Sequence, residues 1–552
     1  MASFFDFVKA PSLQKYKYDL SHEVKFSGRV GDLIPFNWEF LSPGDSVQLN
    51  SAQFVRTAPL VHPIYQRLNV DVHHFFIPLR LIWEDFETFI TGYNQNSGGT
   101  NDITNHPKIV LDPAHTTAEN LYSFFQHRQI GDSPAFGVGS LADYLGVPVQ
   151  ELALRFGIEG EDENGDVITD GTFEERKPLD MSILPFRAYQ QVYNDYYRDS
   201  IKEEEIFFMK GSNDQYLGDE RIDDEWAVYE LRQRALGKDY FTTSQPTPQL
   251  GEDVTLTSPQ NYGVLSSFSP APSSDGNIRL ATNGMTYVGS AQTPYNRVVG
   301  NVDIPSAVLM TINKLRELFS IQKWKDQGNK FGSRYKEQVL GHFGVDTPDA
   351  RLQRAQFLGG GRVPLMINQV SQLSAGSEDS PLGYQAGQGM ASGADNYFEY
   401  DVREHGIMLS IISVLPENTY FRGLPKKFKL YDRFDFPFPE FATLGEQEVK
   451  SEEYNIHAED DQTFGYQERY CEFKTIPNRA CGEFRTNLRD FFMASPQNGL
   501  SCLDDLRVNP YDYDNVFAVE VTQADNLYFL IMNDFIKYSP LPYINRVTTD
   551  YV

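Results

Sequence analysis

The side chains best placed to do chemistry in this chain are a run of oxygen ligands. Asp162, Asn164, Asp166 and Asp170 stand at positions 1, 3, 5 and 9 of a calcium-binding loop of the EF-hand type. Such a loop turns on a Gly at its sixth position and closes with a bidentate Glu at its twelfth. Here those places hold Val167 and Phe173, and no helix is expected on either side. The run therefore reads as a solvated acidic loop. His73-His74 suggests a metal pair, but neighbours in a strand point to opposite faces and cannot share one ion. Buried or interface histidines are expected instead. Gly359-Gly360-Gly361 has no following Lys-Ser/Thr to complete a phosphate loop and reads as a flexible turn. The densest basic cluster, Lys426-Lys427-x-Lys429, suits either the guarded edge of a strand over 426–431 or a weak, sequence-independent contact with phosphate. No H-E-x-x-H or G-x-S-x-G occurs, and the histidines are scattered, so no local pattern argues for catalysis.

The cysteines are Cys471, Cys481 and Cys502, with no C-x-x-C among them, so they are expected to be free thiols of a protein made in a reducing cytoplasm. The sequence holds 40 Phe and 31 Tyr but only 4 Trp, an aromatic excess that favours strands and interfaces over helix bundles. With 41 Gly and 31 Pro, many turns and long loops must follow. Net charge is 48 − 76 = −28, so the chain cannot meet nucleic acid as a globally basic protein; a local patch or a basic partner must do so. The apolar cluster at the N-terminus is too short for a signal-peptide core. The longest apolar runs, 407–415 and 527–532, are strand-sized, so no membrane insertion is expected.

Periodicity supplies the elements. Extended segments are expected over 33–57, broken by the turn Pro43-Gly44-Asp45, and over 70–77, where Val70, Val72, His74 and Phe76 share one face. Further strands are expected at 405–415, 426–431 and 526–536, the last apolar enough to be covered on both faces. Helices are expected at 81–91, stopped by Gly92, at 186–198, and from Pro305 to Gln327. The last has Val308, Ile312, Leu315 and Phe319 as its buried stripe. Residues 159–175 and 251–303 are polar loops expected outside the core. Strand blocks at both ends with irregular and helical stretches between them point to a β-barrel or sandwich whose connections carry large insertions.

Four longer blocks add a resemblance. Residues 31–92, LPFRAYQQVYNDYYRD at 184–199, LRQRALGKDYFTTSQPTPQLG at 231–251 and HFGVDTPDARLQRAQFLGGG at 342–361 are similar, in the same order, to the major capsid proteins of gokushoviruses, a group of microviruses. The stretches 100–180 and 251–303 carry little of the likeness. The resemblance implies one mainly β domain over 1–552, a single eight-stranded jelly roll with partly helical insertions. Residues 93–183 would form an insertion with the acidic run. Residues 251–303 would form a surface protrusion presenting Tyr262, Phe268, Tyr287 and Tyr295, implicated in host attachment. It implies no enzyme and no cofactor, but a virion subunit assembled in a bacterial cytoplasm. Sixty copies would form a T=1 shell around a circular single-stranded DNA genome. Its partners would be a small basic DNA-associated protein, a minor pilot-type protein, a transient scaffold and a host receptor. Lys426, Lys427 and Lys429 are the candidates to face DNA. The competing readings are a phage scaffold or receptor-binding protein outside the shell, and a β-sandwich carbohydrate-active enzyme.

Overall fold

A computed structural model of the chain describes residues 14–91, 105–125, 136–161, 167–169, 171, 173–217, 226–248, 278–281, 284–287, 312–331, 335–343, 348–371, 385–394, 396–442, 445–458, 462–493, 506–519 and 524–543. Asp162, Asn164, Asp166, Asp170, Cys502, Tyr262, Phe268 and Tyr295 lie outside these residues. Two compact units form: residues 249–331 with 341–343, and the remainder.

The larger unit is built on ten antiparallel strands. They are β1 (Tyr16–Asp19), β2 (His22–Gly28), β3 (Ile34–Leu41), β4 (Ser46–Thr57), β5 (Leu68–Pro78), β6 (Gln356–Ser371), β7 (Gln385–Gly393), β8 (Phe398–Asp401), β9 (Gly406–Pro416) and β10 (Leu527–Ser539). The sheet runs β1-β10-β4-β7-β6-β5-β9-β3, with β2 also on β10 and β8 also on β4. It curls around an apolar interior shared by both ends of the path. Phe36 of β3, Val70 and Val72 of β5 and Ile412 of β9 pack in one cluster with Val55 of β4 and Phe529 and Ile531 of β10. The sixteen-residue β6 makes the crossing. Gln356–Leu365 pairs with β5, and Met366–Ser371 pairs with β7 on the other edge. Pro364 sits beside that change of partner, where a missing N–H is least disruptive.

Period-two alternation holds in β5. Val70, Val72 and Phe76 face the interior, while Phe75 and Ile77 pack with Ile407, Leu409 and Ile411 of β9 against the helical insertions. Both faces of β9 are thus covered, and all eleven of its residues are buried. β10 differs from expectation. Its burial alternates, with Tyr528 44% and Met532 52% exposed, because among the described residues no helical layer covers its outer face. The glycine triplet is also not a turn. Gly359, Gly360 and Gly361 lie in β6 opposite His74, His73 and Val72. A Cβ on Gly360 would stand 2.4 Å from the Val72 carbonyl oxygen, so the run lets two backbones approach closely.

The outer layer rests on α1 (Leu184–Val192), every residue of which is buried, continued by a π-turn over Tyr193–Tyr197. Its polar side chains satisfy loop backbone. Arg187 donates to the Ile82 and Gly211 carbonyls, Tyr189 to Leu33, and Gln190 to Val228 and Glu230. The expected 81–91 helix is two short ones, Leu79–Ile82 and Phe86–Thr91, and Phe89 and Ile90 are exposed. Phe173, assigned to a loop outside the core, is buried in this layer.

In the smaller unit the described residues form a hairpin, Ile278–Ala281 with Gly284–Tyr287, and α2 (Ile312–Phe331). Phe319 is 67% exposed and not part of a buried stripe. Ile321 and Trp324 stand roughly 200° and 140° around the helix from it, so these three apolar residues share no single face. Val308 lies outside the described residues.

Candidate functional site: an aromatic arm and an acidic cleft

The chain leaving β9 forms an arm with one anchored end. Asn418 donates to the Gly237 carbonyl at 2.5 Å and to Asp239 at 2.8 Å, and the Tyr420 hydroxyl donates to Asp239 at 2.6 Å. Asp239 also accepts the backbone N–H groups of Phe241 and Thr242. Phe241 then packs on Tyr420 and Tyr454, and Tyr454 stacks on Phe464. The buried Tyr240 hydroxyl donates to Glu453 at 3.0 Å; burial pushes both groups up from their ordinary pKa values. The Asp239-Tyr240-Phe241-Thr242 block is therefore the clamp at the base of the arm. Residue type alone did not single out Asp239; its hint was an Asp two and three residues ahead of the N–H groups it caps.

Beyond the clamp, Lys426–Lys429 forms one 3₁₀ turn and not a strand, because Pro425 opens it and the Phe428 N–H closes on the Pro425 carbonyl. The three lysines differ. Lys426 donates to the Glu448 carbonyl, Lys429 is paired with Glu452, and Lys427 is exposed with its ammonium 5.6 Å from the Phe473 ring centre. Asp435 accepts from the Tyr431 and Asp432 N–H groups, which folds the next turn and holds its carboxyl below the usual range. Phe441 packs on Phe434 and Phe438. Phe428, Tyr431 and Phe436 remain 68%, 86% and 51% exposed, beside Ile476 at 79% on the neighbouring 469–491 segment. That segment is tied to the arm by the Tyr470 hydroxyl, which donates to the Phe434 carbonyl, and by Tyr420, which pairs with Asn478 and Ala480. Cys471 and Cys481 lie here as free thiols.

A second surface is concave. Glu84, Glu205, Phe207, Met209 and Lys210 line a cleft of about 550 Å³. Asn194 pins its wall by a reciprocal pair of bonds to Ile206, and Glu84 donates its N–H to the Lys210 carbonyl. Phe207 is 69% exposed at its mouth.

On β5 an ion cluster forms around one buried carboxylate. Asp71 is paired with Arg234 at 2.5 Å and with Arg362 at 2.6 Å. Burial raises the Asp71 pKa, but the Arg362 bond and the Arg234 charge outweigh it and leave the carboxyl below its ordinary value. His73 meets the Tyr197 hydroxyl at 2.8 Å on the outer face, and His74 meets Ser410 at 2.8 Å on the inner one. The two rings have separate partners.

A curled antiparallel sheet with an arm that leaves Phe428, Tyr431 and Phe436 to solvent has the build of a subunit made to pack against other subunits. The chain belongs to the capsid protein (F protein) family, whose sequence profile matches residues 7–125 and 174–548. It is 27% identical to capsid protein VP1 of Chlamydia phage 1, over 88% of this chain and 87% of that protein. Against capsid protein VP1 of Bdellovibrio phage phiMH2K it is 30% identical, over 88% and 85%. Against capsid protein VP1 of Spiroplasma virus 4 it is 26% identical, over 88% and 84%. The chain is a structural capsid protein of the virion and not an enzyme. No helix among the described residues is long and apolar enough to cross a membrane.

Proposed function

We propose that this chain is the major subunit of a small T=1 icosahedral shell, sixty copies enclosing a circular single-stranded DNA genome. The observation that carries the reading is the family match across both strand blocks of the curled sheet. The path through that sheet holds eight strands, with β2 and β8 lying in line with β1 and β7, which supports an eight-stranded jelly roll. The −28 net charge makes a small basic protein the natural companion of the genome inside. A pilot-type minor protein, a transient scaffold and a host receptor complete the partners, with assembly in the bacterial cytoplasm.

Of the lysine trio, Lys427 is the member open to a phosphate. Lys427→Gln should leave shells intact and lower genome retention as salt rises, measured as DNA released per particle. The 251–303 segment serves host attachment in this reading, presenting Tyr262, Phe268, Tyr287 and Tyr295 from a protrusion supported by three copies.

Electron microscopy of the purified particle tests the whole proposal, with uniform closed shells expected. Monodisperse monomers would favour a scaffold, a receptor-binding protein or a carbohydrate-active enzyme. A chain joining Gly251 directly to Ile304 should still close shells, because the core strands are untouched. Those shells should adsorb poorly to host cells; normal adsorption would remove the attachment role.

A further inference from the structure

We propose that the aromatic arm of one copy docks in the acidic cleft of a second copy, so that the shell grows through a head-to-tail contact. The inference rests on the shell reading and adds the two surfaces that meet.

The arm has more apolar surface than a free subunit needs. An aromatic side chain buries about 150–250 Å². At their fractional exposures Phe428, Tyr431 and Phe436 offer about two full ring surfaces, on the order of 300–500 Å², and the exposed Ile476 adds to it, a large part of the roughly 800 Å² that one partner contributes to a stable interface. Charge then selects the occupant. Residues 422–441 and 469–491 hold ten Lys and Arg against six Asp and Glu, 10 − 6 = +4, in a chain whose total is −28. Residues 84–91 and 204–214 hold one Lys against six acidic side chains, 1 − 6 = −5. Phe207 and Met209, 69% and 47% exposed, add apolar surface at the mouth of this acidic cleft. The two surfaces complement each other in sign and share aromatic character.

They are also different surfaces of the same unit, with no residue in common. A contact between unlike surfaces is heterologous, and its repetition about a rotation axis closes a ring. Arg433 and Arg479, both exposed, are the cations placed to face Glu204 and Glu205. Such rim pairs set register and partner choice, while the rings supply buried area.

The test is charge reversal on each surface and on both. In the full chain, Arg433→Glu with Arg479→Glu, or Glu204→Arg with Glu205→Arg, should lower the yield of closed shells at least about tenfold. The fourfold variant should recover to within about threefold of the parent. All four side chains are exposed, so circular dichroism of unassembled protein should match the parent. A direct measurement accompanies the yields: Tyr431→Cys with Met209→Cys should form an intermolecular disulfide within parent-like particles. Normal shell yield from either reversed surface, no recovery in the fourfold variant, or no cross-link overturns the contact. Normal shells that have lost their genome would assign the arm to nucleic acid instead and also overturn it. If the parent chain itself forms no shells, the shell reading fails before the contact is tested.

Discussion

Replacing Asp71 with Ala should cost the folded chain about 3–5 kcal/mol, the penalty for breaking a buried ion pair by removing one partner. Asp71 is 1% exposed and is the only carboxylate whose ion pairs with Arg234 and Arg362 are described. Arg234 is itself only 16% exposed, donates to Ser413 at 2.7 Å and lies over the Tyr197 ring. Without Asp71 its guanidinium stays near the buried face of β5, β9 and the π-turn, and the countercharge described for it is gone. Arg362 is 61% exposed, so Arg362→Ala should cost only about 1 kcal/mol, since water screens the lost pair and Arg234 still balances Asp71. Urea unfolding of the unassembled chain measures both. An Asp71→Ala loss no larger than that of Arg362→Ala would show that the cluster is hydrated and does not hold the layer to the sheet.

This cluster joins residues from three distant parts of the chain, Asp71, Arg234 and Arg362, which no local pattern links. The alternation Val70-Val72-His74-Phe76 placed β5 and sorted its faces correctly, because burial on both sides enforces a strict period of two. The same rule failed for β10. A continuous apolar run looks alike whether its second face meets a helix or waits for another molecule, and Tyr528 and Met532 lie on an open face. In sequence Lys426–Lys429 falls in an expected strand, 426–431; Pro425 and the closing bond from Phe428 make it a turn. Gly359-Gly360-Gly361 reads in sequence as a flexible turn, while its cause is the close passage over Val72 and His73, a tertiary fact. The clamp at Asp239 and the pairing of Asp71 with Arg234 and Arg362 join residues about 160–290 positions apart in the chain, beyond the reach of any local pattern. The family-like blocks fared better. The block at 184–199 is the helix whose polar side chains hold the loop backbone, and the block at 231–251 contains both Arg234 and the clamp.

The second large effect is a steep loss of stability in mild acid. Burial, then the Arg234 charge, hold His73 down to about 4; burial, then His73, hold His74 down to about 3. In the unfolded chain both rings return to the ordinary value of 6.5. Between these limits the unfolded state binds protons that the folded state refuses, so the contribution is complete above pH 6.5 and is lost as pH falls toward the folded values. Below pH 6.5 each histidine builds to a slope of about 1.4 kcal/mol per pH unit, so the pair should remove about 4 kcal/mol by pH 4.5. Asp71 acts lower on the scale. Its folded pKa lies below the ordinary carboxylate value, so its contribution persists through this window and is lost only in stronger acid. His74→Asn retains a polar group for Ser410 but has no ring to protonate. It lowers stability at neutral pH by some offset, yet the slope is independent of that offset. Unfolding free energies of the parent and His74→Asn from pH 7 to pH 4.5 should therefore differ in slope, the variant's being shallower by about 1.4 kcal/mol per pH unit below pH 6. Equal slopes would mean that water reaches His74 in the folded chain, and that its bond to Ser410 does not exclude the proton.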